Sequence, residues 1–406
     1  MTISTATAPV SAPHLTKGTL VWFRDEGQVW RGGTVLRVTD SEYILETRLG
    51  EDTVTVSKEQ ELVPRNKDEF GSEGMIVLDD LTQLTHLNEP AVLHSLQIRF
   101  DIDKIYTFTG PILIAVNPFK RIPELYNPET LQSYMHLSNM TKPHVFATAN
   151  AAFRGICDRQ LCQTVLISGE SGAGKTESTK HVMKFLATAG SSAEGGIEQQ
   201  VLASNPLLEA FGNARTLRND NSSRFGKFIE LQFKPSNGEM AKFATSDGLS
   251  ELNNSRLCGA RIQTYLLEKV RVTDQQEGER NFHIFYQCCA AAASCPNNEY
   301  SFPQTVRDCE PLTLDMRGFA DHANFHYLTR SSVISLDSVD DTAEFEDTIS
   351  AMRNVGIPVA DINSILNTVA ATLLLGNTQF VEAENDGSRI AGSAFKSVCN
   401  LLGVDQ

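Results

Sequence analysis

Short apolar runs set apart by turn residues occupy residues 21–56. Val21-Trp22-Phe23, Val29-Trp30, Thr34-Val35-Leu36, Tyr43-Ile44-Leu45 and Thr53-Val54-Thr55-Val56 are separated by Asp-Glu-Gly, Gly-Gly and Gly-Glu-Asp signals. Runs of this length and spacing predict five short strands in a small barrel over residues 15–66. The polar stretch from Arg65 to Gly74 reads as a linker. Ala91 to Phe100 then follows a helical period, Gly110 to Val116 is a continuous apolar run suited to a buried strand, and Val145 to Arg159 is helical again. Val165-Leu166-Ile167 reads as a further strand, and Val182, Met183, Phe185 and Leu186 recur at helical spacing after it. The order strand, helix, strand, glycine-rich loop, helix is that of an α/β fold.

Beyond a Gly/Ser-rich surface loop at Gly190 to Gly196, Phe228 to Phe233 and Ile262 to Leu267 alternate as two strands. From Asn281 onward the pattern is mostly helical. Asp340-Asp341 precede Phe345, Ile349 and Met352, so these acids read as helix caps. The longest apolar stretch, Leu366 to Leu375, is too short to span a bilayer, and no membrane insertion is expected. The first fourteen residues carry Ser, Thr, Ala and Pro without an apolar core and read as a loose tail rather than a targeting segment.

The loop between the Val165 strand and the following helix carries the chemistry. Gly169-Glu-Ser-Gly-Ala-Gly-Lys-Thr176 matches G-x-x-x-x-G-K-[ST] in full. Its glycines let backbone N–H groups approach phosphate oxygens, and the helix N-terminus adds its positive dipole end. Gly169, Glu170, Ser171, Gly172, Ala173 and Gly174 form the cradle, Lys175 reaches the β- and γ-phosphates, and the Thr176 hydroxyl is a ligand for Mg2+. About fifty residues later, Asn219-Asp-Asn-Ser-Ser-Arg-Phe-Gly-Lys227 gathers an amide, two hydroxyls and an arginine, a set suited to sensing a γ-phosphate.

Fifty acidic against thirty-five basic side chains give a net charge of −15, which repels nucleic acid and anionic lipid, so no nucleic-acid partner is expected. Eight cysteines show no C-x-x-C pair, which fits a reduced compartment. His322 and His326 lie at i and i+4 without a third ligand, and the acids from Asp337 to Asp347 read as capping and a solvated face rather than a metal site.

Taken together, these motifs resemble a myosin motor from about Val21 to the C-terminus. Val21-Trp22-Phe23 with Trp30 and Gly33, Glu89-Pro-Ala-Val-Leu-His94, Ile105-Tyr-Thr-Phe-Thr-Gly110, Ile112 to Lys120, Leu266-Leu-Glu-Lys269 and Gly278 to Gln287 carry the likeness. The resemblance implies a P-loop NTPase motor core with an incomplete central sheet and flanking helices, preceded by an SH3-like β-barrel. It implies domains at residues 15–66 (barrel), 67–190 (adenine loop and P-loop) and 191–406 (first switch, transducer strands and part of the upper cleft). Asn117, Pro118, Lys120, Arg121 and Tyr126 would line the adenine pocket, with one residue inserted at Glu124-Leu125. Thr176 and Ser223 would ligate Mg2+, Asn219 would contact phosphate, Ser222 would position the lytic water, and Arg224 would pair with a glutamate of a second switch. The implied activity is hydrolysis of MgATP to drive movement along actin filaments, in the cytoplasm and the actin cytoskeleton, with light chains and cargo bound by other regions.

Several positions depart from the family pattern. Asp315-Met-Arg-Gly-Phe319 imitates the second switch, but Ala320 stands in place of the glutamate, and Asp68-Glu-Phe-Gly71 lies in the linker. Gly238 to Gly259 is longer than the usual turn, and Val270 stands where a serine is usual. Arg224 is therefore expected to lack its carboxylate, the P-loop strand to lack its neighbours, and the chain alone to be unstable and to hydrolyse ATP near background. The alternative reading is a non-hydrolysing nucleotide-binding or actin-scaffold module.

Overall fold

Gly32 and Gly33 lie inside a strand, where the sequence pattern reads a turn. A Cβ on Gly32 would stand 3.3 Å from the Trp22 ring, and one on Gly33 3.3 Å from Leu45 Cβ and from the Phe23 ring. The glycines therefore admit a close approach between neighbouring strands. This is seen in a computed structural model that describes residues 15–405 except 28, 48–51, 68–77, 136–140, 191–196, 236–240, 244–249, 253–254, 296, 303–312, 338 and 384–386. The expected tail, most of the linker, nearly all of the Gly190–Gly196 loop and parts of Gly238–Gly259 lie outside the described residues.

Strands β1 (Leu20–Asp25), β2 (Val29–Val38), β3 (Glu42–Thr47), β4 (Thr53–Ser57) and β5 (Leu62–Pro64) pair antiparallel in the order β4-β3-β2-β1-β5. Two of the runs read as separate strands are thus one strand, β2, and the fifth strand is Leu62–Pro64. Val21, Phe23, Val35, Leu45 and Val56 form the buried face of this sheet. Helix α1 (Glu89–Asp101) is capped by Asn88, whose side chain accepts from Ala91 N at 3.1 Å and donates to Pro64 O at 2.9 Å. Strands β6 (Tyr106–Thr109) and β7 (Ile112–Ala115) form a hairpin about Gly110, at φ +58°. Ile112 is 63% exposed, so the run from Gly110 to Val116 is a hairpin arm and not the buried strand its composition predicts.

Helices α2 (Pro128–Met135) and α3 (Val145–Arg159) follow; the chain divides into one compact unit of Met1–Thr130 with Leu137–Ala147 and a second of Leu131–His136 with Thr148–Gln406. The second unit holds α4 (Lys175–Ala189), α5 (Ile197–Gly212), the hairpin β8 (Asn213–Thr216) and β9 (Asn219–Ser223), and β10 (Gly226–Pro235). Strands β11 (Ala241–Phe243) and β12 (Ser250–Leu252) form a small hairpin, and β13 (Ser255–Tyr265) pairs antiparallel with β10. After these come α6 (His283–Ala293), β14 (Glu299–Ser301) with β15 (Thr313–Asp315), α7 (Asp341–Val355), α8 (Val359–Gly376), β16 (Gln379–Ala383) with β17 (Gly387–Ala391), and α9 (Ala394–Leu402).

The core of this unit is built on α6, α7 and α8, with Phe285, Phe345, Ile349, Ile362, Leu366 and Leu373 in one buried cluster. Asp340 caps α7 through the Thr342 and Ala343 amides, as its position predicts. Helix α8 extends the apolar stretch to 18 residues, long and apolar enough to cross a membrane by length and composition, yet its Leu366 face is buried in the cluster. The Asp315–Phe319 segment is a turn in the same cluster: Gly318 adopts φ +91°, Met316 and Phe319 are buried, and Arg317 folds back onto Asp315 and holds that carboxyl below its ordinary range. His322 begins a 3-10 turn that ends before His326, so the two do not share an α-helical face.

The α/β order expected around the glycine-rich loop is corrected at one strand. Residues 160–169 carry no regular secondary structure and join no ladder among the described residues, Gln160 adopts φ +52°, and Leu166 is 88% exposed. A β-branched apolar run favours an extended backbone, but only neighbouring strands with free edges turn it into a sheet.

Candidate functional site

Gly172 and Gly174, at φ +81° and +90°, make the two left-handed steps that turn the preceding segment into α4. L-residues reach this region only with strain, which is why the loop needs glycine at both places. The first i→i−4 bond of α4 runs from Ser178 N to Gly174 O at 2.9 Å, so the amides just before it lie in the anion-binding turn of the helix. Lys175 Nζ donates to Gly169 O at 2.7 Å and to Glu170 O at 2.8 Å, closing the loop on itself.

The β8–β9 hairpin lies against this loop. A Cβ on Gly172 would be 3.9 Å from the Arg218 carbonyl and from the Asn219 side chain. Two hydroxyl pairs join the elements: Ser171 Oγ to Ser222 Oγ at 2.8 Å, and Thr176 Oγ1 to Ser223 Oγ at 3.1 Å. Ser222 is buried, and its hydroxyl also accepts from Arg224 Nη2 at 2.9 Å. The Asn219 side chain caps its own turn, accepting from Asn221 N at 2.9 Å. The loop residues and Asn219, Ser222, Ser223 and Arg224 are therefore brought together.

The hairpin is anchored from behind. Arg224 N donates to Gly212 O at 2.8 Å, and Asn221 takes a bond from Asn213 Nδ2 at 2.8 Å and gives one to Glu209 at 3.2 Å. Glu209 in turn holds Lys180 of α4 at 2.7 Å. Burial alone lowers the Lys180 pKa, but the bonds and charges of Glu209 and Glu177 outweigh it and the net shift is upward. Within α5, Pro206 removes a donor from the helix, and the Asn205 amide donates to Leu202 O at 3.3 Å. His283, 3.2 Å from Asn221 Oδ1, is pushed down to about 4 by burial and then by the Arg280 charge, so it is neutral near pH 7.

Arg224 does not lack a carboxylate, contrary to the expectation from sequence. Its Nη1 lies 3.4 Å from Glu268 Oε2. Glu268 belongs to the Leu266-Leu-Glu-Lys269 motif, but its forty-four-residue separation from Arg224 becomes a contact only when β10 and β13 pair. Among the described residues no three His, Cys, Asp or Glu side chains cluster as a metal site, so a cation here depends on hydroxyls and on what its ligand brings.

The predicted adenine residues lie in the first unit. Pro118, Lys120, Arg121 and Tyr126 line a cavity of about 360 Å³ with Ile105 and Pro128. Tyr126 is set by a bond to Tyr106 at 2.7 Å, and Lys120 pairs with Asp103 at 2.6 Å. Asn117 is not among the lining residues; its side chain accepts from Phe119 N at 2.9 Å.

Residues 78–406 match the family described as myosin head (motor domain). Myosin-15 of Arabidopsis thaliana is 41% identical over 405 residues, covering 96% of this chain, and Myosin-6 of the same plant is 41% identical over 398 residues. Protein OPAQUE1 of Zea mays is 42% identical over 384 residues, covering 93% of the chain. These alignments take in 24%, 24% and 22% of the relatives, so the chain spans about a quarter of the length of the curated proteins it matches. With its glycine-rich loop, hydroxyl-bearing hairpin and a match over residues 78–406, the chain belongs to the myosin head family and has that family's P-loop NTPase fold.

Proposed function

We propose that this chain is the nucleotide-binding part of an actin-based motor, which binds MgATP and, within the complete motor, hydrolyses it to drive movement along actin filaments. The observation that carries this reading is the pair of cross-loop hydroxyl contacts. Adjacent corners of an Mg2+ octahedron with ligands at about 2.1 Å are about 3.0 Å apart. Thr176 Oγ1 and Ser223 Oγ are separated by 3.1 Å, a spacing at which the two would hold one such cation.

Bound there, MgATP supplies the transferable phosphoryl group and the cation that offsets its charge. The amides of Gly172 and of Gly174 to Thr176 hold the phosphates while the Ala173 amide closes the loop on Glu170 O at 3.2 Å, Lys175 contacts the β- and γ-groups, and Ser171 and Asn219 bound the phosphate site. Ser222 positions a water, with Arg224 holding its hydroxyl at 2.9 Å. The 360 Å³ cavity with Pro118, Lys120, Arg121 and Tyr126 receives the adenine, and Asn117 orders the loop beside it. The five-stranded sheet serves as an SH3-like barrel, and the domains run over residues 15–66, 67–190 and 191–406. Actin, the cytoplasmic cytoskeleton, and light chains and cargo held by other regions complete the motor's setting.

Calorimetry of the chain with ATP, with and without Mg2+, tests the reading. Binding that strengthens with Mg2+ and is lost in Lys175→Ala supports it, and turnover by this chain alone is expected near background. Absence of nucleotide heat in the folded protein, or binding indifferent to Lys175, would sink it.

A further inference from the structure

Glu268 grips Arg224 at both ends. Its backbone N–H donates to Arg224 O at 2.9 Å, and its carboxylate takes Arg224 Nη1 at 3.4 Å. The same Oε2 accepts Arg271 Nε at 2.8 Å, and buried Arg271 is tied to Glu279 at 3.0 Å and to Arg280 O at 3.1 Å. A carboxylate moored to a buried, doubly held guanidinium is a fixed acceptor, unlike a surface acid on a mobile stem.

Arg224 offers one nitrogen to each of three acceptors: Nε to Ser223 O at 3.2 Å, Nη1 to Glu268, and Nη2 to Ser222 Oγ at 2.9 Å. The group is planar and rigid, so none of these contacts shifts alone. The Glu268 contact therefore sets the plane in which Nη2 meets the Ser222 hydroxyl, and that hydroxyl bonds Ser171 in the phosphate loop at 2.8 Å.

We infer that Glu268 is a positioning residue of the nucleotide site: it fixes the plane of Arg224 and, through it, the Ser222 hydroxyl that discriminates a terminal phosphate. The inference rests on the reading of the site as one for MgATP. The sign of the effect separates it from a charge effect. Neutralising a carboxylate near a polyphosphate strengthens binding of both nucleotides, and of the more highly charged ATP at least as much as ADP, if only charge matters. Freeing Arg224 instead weakens ATP relative to ADP.

The test measures MgATP and MgADP affinities of the full chain for wild type, Glu268→Gln, Arg224→Ala and the double variant, with folding followed by circular dichroism. Losing a charge-assisted contact lowers the ATP-over-ADP preference about tenfold in Glu268→Gln, and the double variant falls no further than Arg224→Ala. An unchanged preference in folded Glu268→Gln, or effects that multiply in the double variant, overturns the proposal. If Glu268→Gln does not fold, Glu268→Asp carries the test: it keeps the charge but draws the carboxylate back by one methylene, and an unaltered preference there is equally fatal. Wild type that binds neither nucleotide fails the MgATP reading itself, whereas wild type that prefers ATP while the Glu268 variants match it fails only this inference.

Discussion

Thr176 Oγ1 and Ser223 Oγ meet at 3.1 Å across 47 residues of chain, the first at the start of α4 and the second at the end of β9. Both side chains come from rigid element termini, so their separation is set by how the hairpin seats on the phosphate loop. Conversely, a ligand held by both fastens the two elements together.

Thr176→Ala and Ser223→Ala are each expected to weaken MgATP binding by about tenfold, the scale of one lost bond to a charged ligand, while leaving Mg2+-free ATP binding nearly unchanged. The double variant should lose little more than either single one, because half a ligand pair is already broken. Calorimetric titrations at fixed ATP and varied Mg2+ measure both effects.

Gly212→Ala tests how the hairpin is hung from α5. An added methyl meets the Phe225 ring directly, and Gly212 O is the acceptor for Arg224 N at 2.8 Å. Overpacking of this kind costs about 1–3 kcal/mol, and Phe225→Leu should recover part of it. Urea unfolding of the single and paired variants gives the comparison.

Much of this arrangement is legible in the sequence, and the rest is hidden for identifiable reasons. Helical period alone locates α3 at Val145–Arg159, Asp340 announces its own cap, and the match to G-x-x-x-x-G-K-[ST] from Gly169 to Thr176 announces the loop. Gly32-Gly33 misleads because a glycine that makes a turn and one that lets two strands approach look alike. The Val165–Ile167 run misleads because strand formation depends on neighbours that local pattern does not reveal. Glu268 escapes notice because its partner is chosen by the β10–β13 register, with Gly226 opposite Tyr265.

Asp341→Ala is expected to cost about 3–5 kcal/mol, since it strands a buried cation. Arg280 is fully buried, stacks 3.8 Å from the Tyr286 ring centroid, and has its charged bond to Asp341 at 2.7 Å. Its Nε and Nη1 make no hydrogen bond among the described residues, so no other carboxylate takes over. Arg280→Met with Asp341→Leu should be far milder than Asp341→Ala alone, as read from chemical denaturation.

Acid should destabilise the chain through His181, whose pKa falls from 6.5 to about 4, by burial first, with Glu177 opposing and Lys184 and Lys180 adding to the shift. The unfolded chain then holds a proton that the folded one does not between those values, so the stabilising contribution is present above 6.5 and lost as pH falls toward about 4. His181→Gln should reduce by about one the protons taken up on unfolding in that interval, measured from the pH dependence of the unfolding free energy.

An ammonium group has three protons, and Lys175 commits two of them to the Gly169 and Glu170 carbonyls. Tetrahedral geometry then leaves the third a single direction. The rotor is stilled as the polypeptide folds, so an incoming anion meets a cation already aimed and surrenders less entropy on capture than it would to a freely swinging lysine.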